Sequence, residues 1–335
     1  MALELTTVAD DAAVAFDGTE VHRMHDLRPA TPYRIGDVDF VTLARPGGER
    51  LATVATVNDV HFGEQQAGHF EGLDVGPVLR AEPGEAPYPW TMNTAAVAEI
   101  AALGPDVVVA KGDLTAAGRP EEFAQFEACY RPAFGDALEF TLGNHDKYKG
   151  PVVECPPVRE RTVPGAVLAI LDTAREGHGG GFLSSDQLDW LDELGSRADL
   201  PVMVFAHHPV WDERAEDWLD QAAAINPQDS ARVVEVFARR RALIGYFAGH
   251  THRNRVRHFA ATGPTPFVEV ACAKDFPGSW AEYRIFDGGV LQVHHRLATA
   301  AALGWSERCR AMFFGLYPSY AFGEISDRCF VIPRR

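Results

Sequence analysis

From residue 51 onward, short apolar runs alternate with amphipathic stretches, the pattern of a sheet whose strands are separated by helices. LATVATV at 51–57, DVVVA at 106–110, ALEFTL at 137–142, AVLAIL at 166–171, PVMVFA at 201–206 and IGYFA at 244–248 read as buried strands. Helical periodicity predicts helices between several of them, at roughly 91–103, 121–132, 185–196 and 229–241. The third opens on Ser184-Ser185-Asp186-Gln187, N-cap chemistry for a helix carrying Leu188, Trp190, Leu191 and Leu194. PFVEVA at 266–271 and GVLQVHH at 289–295 alternate like half-exposed antiparallel strands and are expected to complete an α/β sheet.

Residues 1–50 hold short β-like runs punctuated by Pro, Gly and Asp and end in the turn signal Pro46-Gly47-Gly48, so a small β appendage is expected there. The tail from 303 carries Trp305, Phe313, Phe314, Tyr317, Tyr320, Phe322 and Phe330, too aromatic to be solvated. It is expected to pack on the body or to join copies of the chain, in preference to stacking on bases. The organisation read from sequence is thus 1–50, a main domain over 51–302, and a packed extension over 303–335. At 335 residues, 46% hydrophobic and 23% charged, one main core with appendages is expected.

The formal charge of −16 disfavours long nucleic acids and anionic membrane surfaces, whose binding needs clustered Lys and Arg. A small phosphate ester stays open, because bound metal ions reverse the local field whatever the net charge. The cysteines at 129, 155, 272, 309 and 329 are odd in number and form no CxxC pair, which points to the reducing cytoplasm. Neither an export signal at the start nor a window approaching about 18 uninterrupted apolar residues is present, so no membrane span is expected.

Five apolar runs end directly in groups able to ligate metal: Asn58-Asp59-Val60-His61, Gly112-Asp113, Gly143-Asn144-His145-Asp146, His207-His208 and Gly249-His250-Thr251-His252. Loops leaving the carboxyl ends of strands line the ligand crevice of open α/β sheets, so the five can converge. Three carboxylate or amide oxygens and four imidazoles suit two metal ions, with one carboxylate free to bridge. Two ions about 3.5–4 Å apart clamp the attacking and leaving oxygens of an in-line displacement and lower the pKa of a shared water, so a bridging hydroxide becomes available as nucleophile. The glycines at 112, 143 and 249 are expected to let the backbone turn sharply before the ligands.

The order of these blocks, D-x-H, GD, GNHD, a lone His and GHxH across about 52–260, resembles the calcineurin-like metallophosphoesterase family. The resemblance implies a four-layer αββα body and an assignment by position: Asp59, His61, Asp113 and His252 on one metal, Asp113, Asn144, His207 and His250 on the other. His145 would face substrate and stabilise the transition state or protonate the leaving oxygen, with Asp146 fixing its orientation. The metals would be Mn, Fe or Zn, divalent or trivalent, two per chain. Ala206-His207-His208-Pro209, Trp218-Leu219-Asp220, Ile225-Asn226 and Ala248 to Arg253 look most similar to the cyclic-nucleotide and glycerophosphodiester phosphodiesterase branch, although its usual HHPP is here HHPV. Residues 27–33 have a distant look of purple acid phosphatases, but Gly112-Asp113-Leu114-Thr115 lacks their iron-ligating Tyr.

A phosphodiesterase is therefore expected, with a phosphomonoesterase or nucleotide-pyrophosphate hydrolase as the enzymic alternative and a silent binding module as the other. The segment between Pro209 and the helix near 229 carries Trp211, Trp218, Leu219 and Asn226 and is amphipathic enough to cover a diester's second group, while Lys147 and Lys149 could instead serve a dianionic monoester. His208 is readable equally as a substrate contact or a packed residue. His178, His294 and His295 read as structural.

Overall fold

A computed structural model describes residues 3–70, 72–214 and 218–334; for Trp218 and Leu219 it describes the backbone alone. The appendage consists of β1 (Glu4–Val8), β2 (Ala13–Asp17) and β3 (Glu20–Met24) in one antiparallel sheet, and β4 (Pro32–Ile35) with β5 (Val38–Val41) as a hairpin. The body begins with β6 (Arg50–Val57), α1 (Tyr88–Leu103), β7 (Val107–Lys111), α2 (Pro120–Phe134) and β8 (Leu138–Thr141). Next come β9 (Val158–Val163), β10 (Ala166–Leu171), α3 (Ser185–Arg197), β11 (Val202–Phe205), α4 (Trp218–Ala223), α5 (Pro227–Arg239), β12 (Leu243–Ala248), β13 (Arg255–Arg257) and β14 (Phe267–Glu269). It closes with β15 (Ser279–Phe286), β16 (Gly289–Arg296), α6 (Ala300–Cys309), α7 (Tyr317–Ala321), α8 (Ile325–Arg328) and β17 (Phe330–Pro333).

Among the described residues the body has two six-stranded sheets, ordered β17-β16-β15-β6-β7-β8 and β13-β14-β12-β11-β10-β9. Alternation along each strand divides its side chains between two layers. Val54, Val107 and Val109 meet Leu168, Ile170, Met203 and Phe205 in the core between the sheets. Ala55, Val57, Val108 and Ala110 face outward beneath residues of α1, α2 and α6. Val167, Ala169, Val202 and Val204 face the other way, against Leu188, Leu191, Val233 and Phe237 of α3 and α5. Strands apolar on both faces therefore lie between two helical layers, as their continuous apolar sequence predicts.

The helices start where their caps allow. In α3 the Ser184 hydroxyl accepts from Gln187 N at 3.2 Å while the Gln187 side chain accepts from Ser184 N, a reciprocal cap. In α5 the Asn226 side chain accepts from Asp229 N at 3.0 Å and Pro227 opens the first turn.

Two of the expected half-exposed strands are buried. β14 is fully buried and runs parallel to β12 and antiparallel to β13. β16 lies between β15 and β17, and the appendage covers its outer face: Ala9 joins Leu291 and Val293 in one cluster, and Thr7 Oγ1 donates to His294 O at 2.7 Å. Of its two histidines, His294 meets Ser279 Oγ at 2.7 Å through Nε2 and His295, on the opposite face, meets Glu282 at 2.9 Å. The residues from 303 complete the body: Trp305, Cys309, Met312 and Tyr317 are buried in the α1/α2 core, and β17 pairs with β16.

Candidate metal centre

The carboxyl ends of β6, β7 and β8 in one sheet and of β11 and β12 in the other meet along one edge of the body. The loops are laced together by main chain: Asp59 N donates to Gly112 O, His61 N to Asp113 O, and Gly249 N to His207 O. Behind them Lys111, fully buried, ties the sheets together by donating from Nζ to Ala248 O at 2.6 Å. Burial, opposed by Asp59, pushes this ammonium down to about 7.

Asp59, His61, Asp113, His250 and His252 all have left-handed backbones, with φ of 52°, 47°, 50°, 68° and 54°. Such conformations cost a non-glycine residue roughly 1–3 kcal/mol each and cluster at functional sites. Gly112 is itself left-handed at φ 85°, as expected before a sharp turn. The other two glycines serve a different need from the one expected: without positive φ, they leave room, since a Cβ at Gly143 would strike the Asp113 carboxylate and one at Gly249 would lie 2.7 Å from Asp59 Oδ2.

The ligating atoms of Asp59, His61 and His252 lie within 4.8 Å of one another, and so do those of Asp59, Asp113 and His207. Asp113 faces both groups, with Oδ2 3.4 Å from His61 Nε2 and Oδ1 3.4 Å from His207 Nε2. His207 donates from Nδ1 to Lys111 O at 2.8 Å, which leaves Nε2 to face Asn144 Oδ1 at 3.0 Å and His250 Nδ1 at 3.1 Å. Asn144 is turned by its amide donating to Tyr148 OH at 2.6 Å. His252 Nε2 stands 3.6 Å from Asp59 Oδ1, and His250 N donates to the same carboxylate. All seven predicted ligands are thus brought together.

The donors fit metal. Both ring nitrogens of His61 are buried and make no hydrogen bond among the described residues, a costly state for a polar group that a cation would relieve. Electrostatics agree. Burial disfavours ionised Asp59, yet His252 and His207 hold it well below the usual carboxylate range. Burial also disfavours charged His207, but Asp113 and Asp59 push it up to about 9, while burial and His207 push His250 down to about 3. The carboxylates here rely on imidazolium protons for the positive charge that metal ions supply when they displace those protons.

His145 and Asp146 differ in place and task. The His145 ring packs edge-on to His61, centroids 4.6 Å apart, with Nδ1 2.7 Å from Ala116 O. Asp146 does not orient that ring. Its buried carboxylate accepts from Leu114 N, Thr115 N, Thr115 Oγ1 and Gly143 N at 2.6–3.1 Å, and so clamps the loop after β7 to the loop after β8.

His208 is a packed residue: Nδ1 meets Thr173 Oγ1 at 2.9 Å and Nε2 donates to Gly179 O at 3.1 Å. Lys147 is bound to Asp172 at 2.6 Å and Ala174 O at 3.0 Å. Sequence reasoning missed a buried cluster beside His252, in which Lys274 pairs with Glu64 at 2.7 Å and Asp275 at 3.3 Å, and Asp275 stands 3.8 Å from His252 Nδ1. No ligand motif marks these residues; only the position of Glu64 three residues after His61 hinted at proximity.

Residues 52–254 match the calcineurin-like phosphoesterase family. A glycerophosphodiester phosphodiesterase of Enterobacter lignolyticus is 28% identical over 220 residues, covering 59% of this chain and 70% of that protein. A cAMP/cGMP dual specificity phosphodiesterase of Mycobacterium tuberculosis is 30% identical over 162 residues, covering 45% of this chain and 49%, about half, of that protein. A dimetal phosphatase from Danio rerio superposes with a TM-score of 0.59 at 13% identity, over 86% of this chain and all of the other, a likeness of fold.

Proposed function

Because the chain belongs to the calcineurin-like phosphoesterase family, we propose that it hydrolyses a small phosphodiester at this centre. Asp59, His61, Asp113 and His252 would hold one metal ion, and Asp113, Asn144, His207 and His250 the other. The observation that carries the reading is Asp113, whose two carboxylate oxygens each face a different group of imidazoles at 3.4 Å. When bound, the two ions supply Lewis acidity and a hydroxide nucleophile near neutral pH; Mn, Fe and Zn all suit the N/O donor set.

The chain's own groups do the rest. Lys111 O holds the Nδ1 proton of His207, so the lone pair of Nε2 points into the centre. Ala116 O holds the Nδ1 proton of His145, so the ring can carry a second proton at Nε2 and deliver it to a leaving oxygen. Asp146 keeps the two loops, and with them Asp113 and His145, at fixed separation.

The choice of diester follows from charge. A monoester presents a dianion and calls for cationic donors, yet Lys111, Lys147 and Lys274 all have partners. Lys149 is exposed at the end of the GNHD loop. The free thiols of all five cysteines support a reducing compartment, the cytoplasm, and the largely exposed Phe314 and Leu316 are what the tail leaves for contact with a second copy. Among the described residues no helix is long and apolar enough to cross a membrane.

The test compares mono- and bis-p-nitrophenyl phosphate under one Mn condition. The diester is expected to have the higher kcat/KM. A monoester preference of tenfold, about 1.4 kcal/mol in transition-state discrimination, overturns the diester reading, and metal-loaded protein inactive on monoesters, diesters and pyrophosphates alike would make the chain a binding module.

A further inference from the structure

The turn that follows β8 brings one more polar side chain to the centre. Asn144 and Tyr148 bracket a short helical turn, with φ of −64° and −58°, so their side chains, four residues apart, stand on one face. The turn is pinned just before and just after Tyr148. Lys147 reaches Asp172 at 2.6 Å, Gly177 N donates to Lys147 O at 3.1 Å, and Val152 N donates to Asp146 O at 3.0 Å. The Tyr148 ring is thereby set against the His145 ring, centroids 4.8 Å apart. His145 in turn packs on His61, while Asn144 Oδ1 faces His207 Nε2. Tyr148 therefore touches one side chain from each side of the centre.

The hydroxyl oxygen of Tyr148 accepts from Asn144 Nδ2 at 2.6 Å. An amide N–H can only donate, so this bond leaves the phenolic proton unused. Among the described residues no acceptor takes that proton. Asn144 is 2% exposed and Tyr148 39%, so the tyrosine reaches from the buried ligands out to solvent.

We propose that Tyr148 is a catalytic residue that touches the substrate: its O–H donates to a non-bridging oxygen of the phosphoryl group. The proposal rests on the phosphodiesterase reading and deepens it. Displacement at phosphorus spreads charge over the non-bridging oxygens, and a donor already fixed by Asn144 and His145 meets that charge without reorganising. A phenol is also a neutral donor, suited to the single charge of a diester, where Lys147 and Lys274 are engaged with carboxylates.

The experiment measures hydrolysis of bis-p-nitrophenyl phosphate at saturating Mn, with metal content read by elemental analysis. Tyr148→Phe keeps a ring beside His145 and removes the O–H. Its kcat/KM is expected to fall roughly 10- to 100-fold, the range for a hydrogen bond to a charged group, with metal content as in wild type. Because Tyr148→Phe also takes an acceptor from Asn144, a second protein carries 3,5-difluorotyrosine at 148, whose phenol ionises below the usual ~10 of tyrosine. Its phenolate still accepts from Asn144 but has no proton to donate. That protein should match wild type while its phenol is protonated, and lose kcat/KM relative to wild type as the phenol ionises, followed by its absorbance. A ratio to wild type that stays flat through the ionisation overturns the substrate contact, as does Tyr148→Phe within twofold of wild type at full metal occupancy. A wild type that turns over no diester overturns the functional reading, and the contact with it.

Discussion

The imidazole of His145 is held by the main-chain carbonyl of Ala116, at 2.7 Å from Nδ1, while its sequence neighbour Asp146 turns its carboxylate to the loop after β7. A carbonyl oxygen can only accept, so it fixes the tautomer and leaves Nε2 as the working atom. His145→Ala is expected to lower kcat by roughly 10²–10⁴-fold while elemental analysis finds wild-type metal content. Metal loss in that variant would make His145 a ligand instead.

Asp113 offers one oxygen to each imidazole group, so Asp113→Ala should remove the shared ligand, abolish hydrolysis and reduce the metal content from about two per chain. Glu121→Ala, at the exposed start of α2, serves as the unaffected control. Full activity in excess chelator would defeat the assignment.

Tyr148 sets the direction of the Asn144 amide at 2.6 Å through its hydroxyl, while its ring packs on that of His145, centroids 4.8 Å apart. Supporting partners of this kind are worth roughly 10–100-fold in metal affinity. Tyr148→Phe should therefore weaken one class of Mn site in a titration and leave the other as in wild type; two unchanged affinities would show that Asn144 needs no such support.

Far from the metals, Glu282 is fully buried between Arg284, Arg50 and His295. Burial opposes its ionisation, but His295 and Arg284 outweigh that and hold it down at about 2. A depressed carboxylate adds stability that is present above its unfolded pKa, near 4.5, and lost as pH falls from there toward 2. Glu282→Gln should lower Tm at pH 7, since breaking a buried pair costs about 3 kcal/mol or more. The gap from wild type should narrow as melts are repeated below about pH 5. A gap independent of pH would mean that packing, and not charge, is what the substitution removes.

The metal-binding blocks were legible in the sequence because each is local: a buried strand, then a turn, then a side chain that must sit at the strand's carboxyl end. So were the main helices, whose periodicity and caps are short-range. The strand Ser279–Phe286 is not legible, because Glu282 and Arg284 interrupt its apolar pattern; Arg284 is buried against Asp10 and Asp11 of the appendage, at 2.6 and 2.7 Å, and Glu282 against Arg50, Arg284 and His295. GVLQVHH alternates as a half-exposed strand does, but its apolar Leu291 and Val293 lie under the appendage, and Gln292 and His294, which alternation assigned to water, are buried on the opposite face. The sequence likewise could not show that Lys147 answers to Asp172, that Asp146 clamps a loop and leaves the His145 ring to Ala116, or that Asp220 meets Arg253. Periodicity reports the average environment of a face. A buried charge or imidazole takes its role from the one partner the fold brings within about 3 Å, and that partner is set by contacts between segments far apart in the chain.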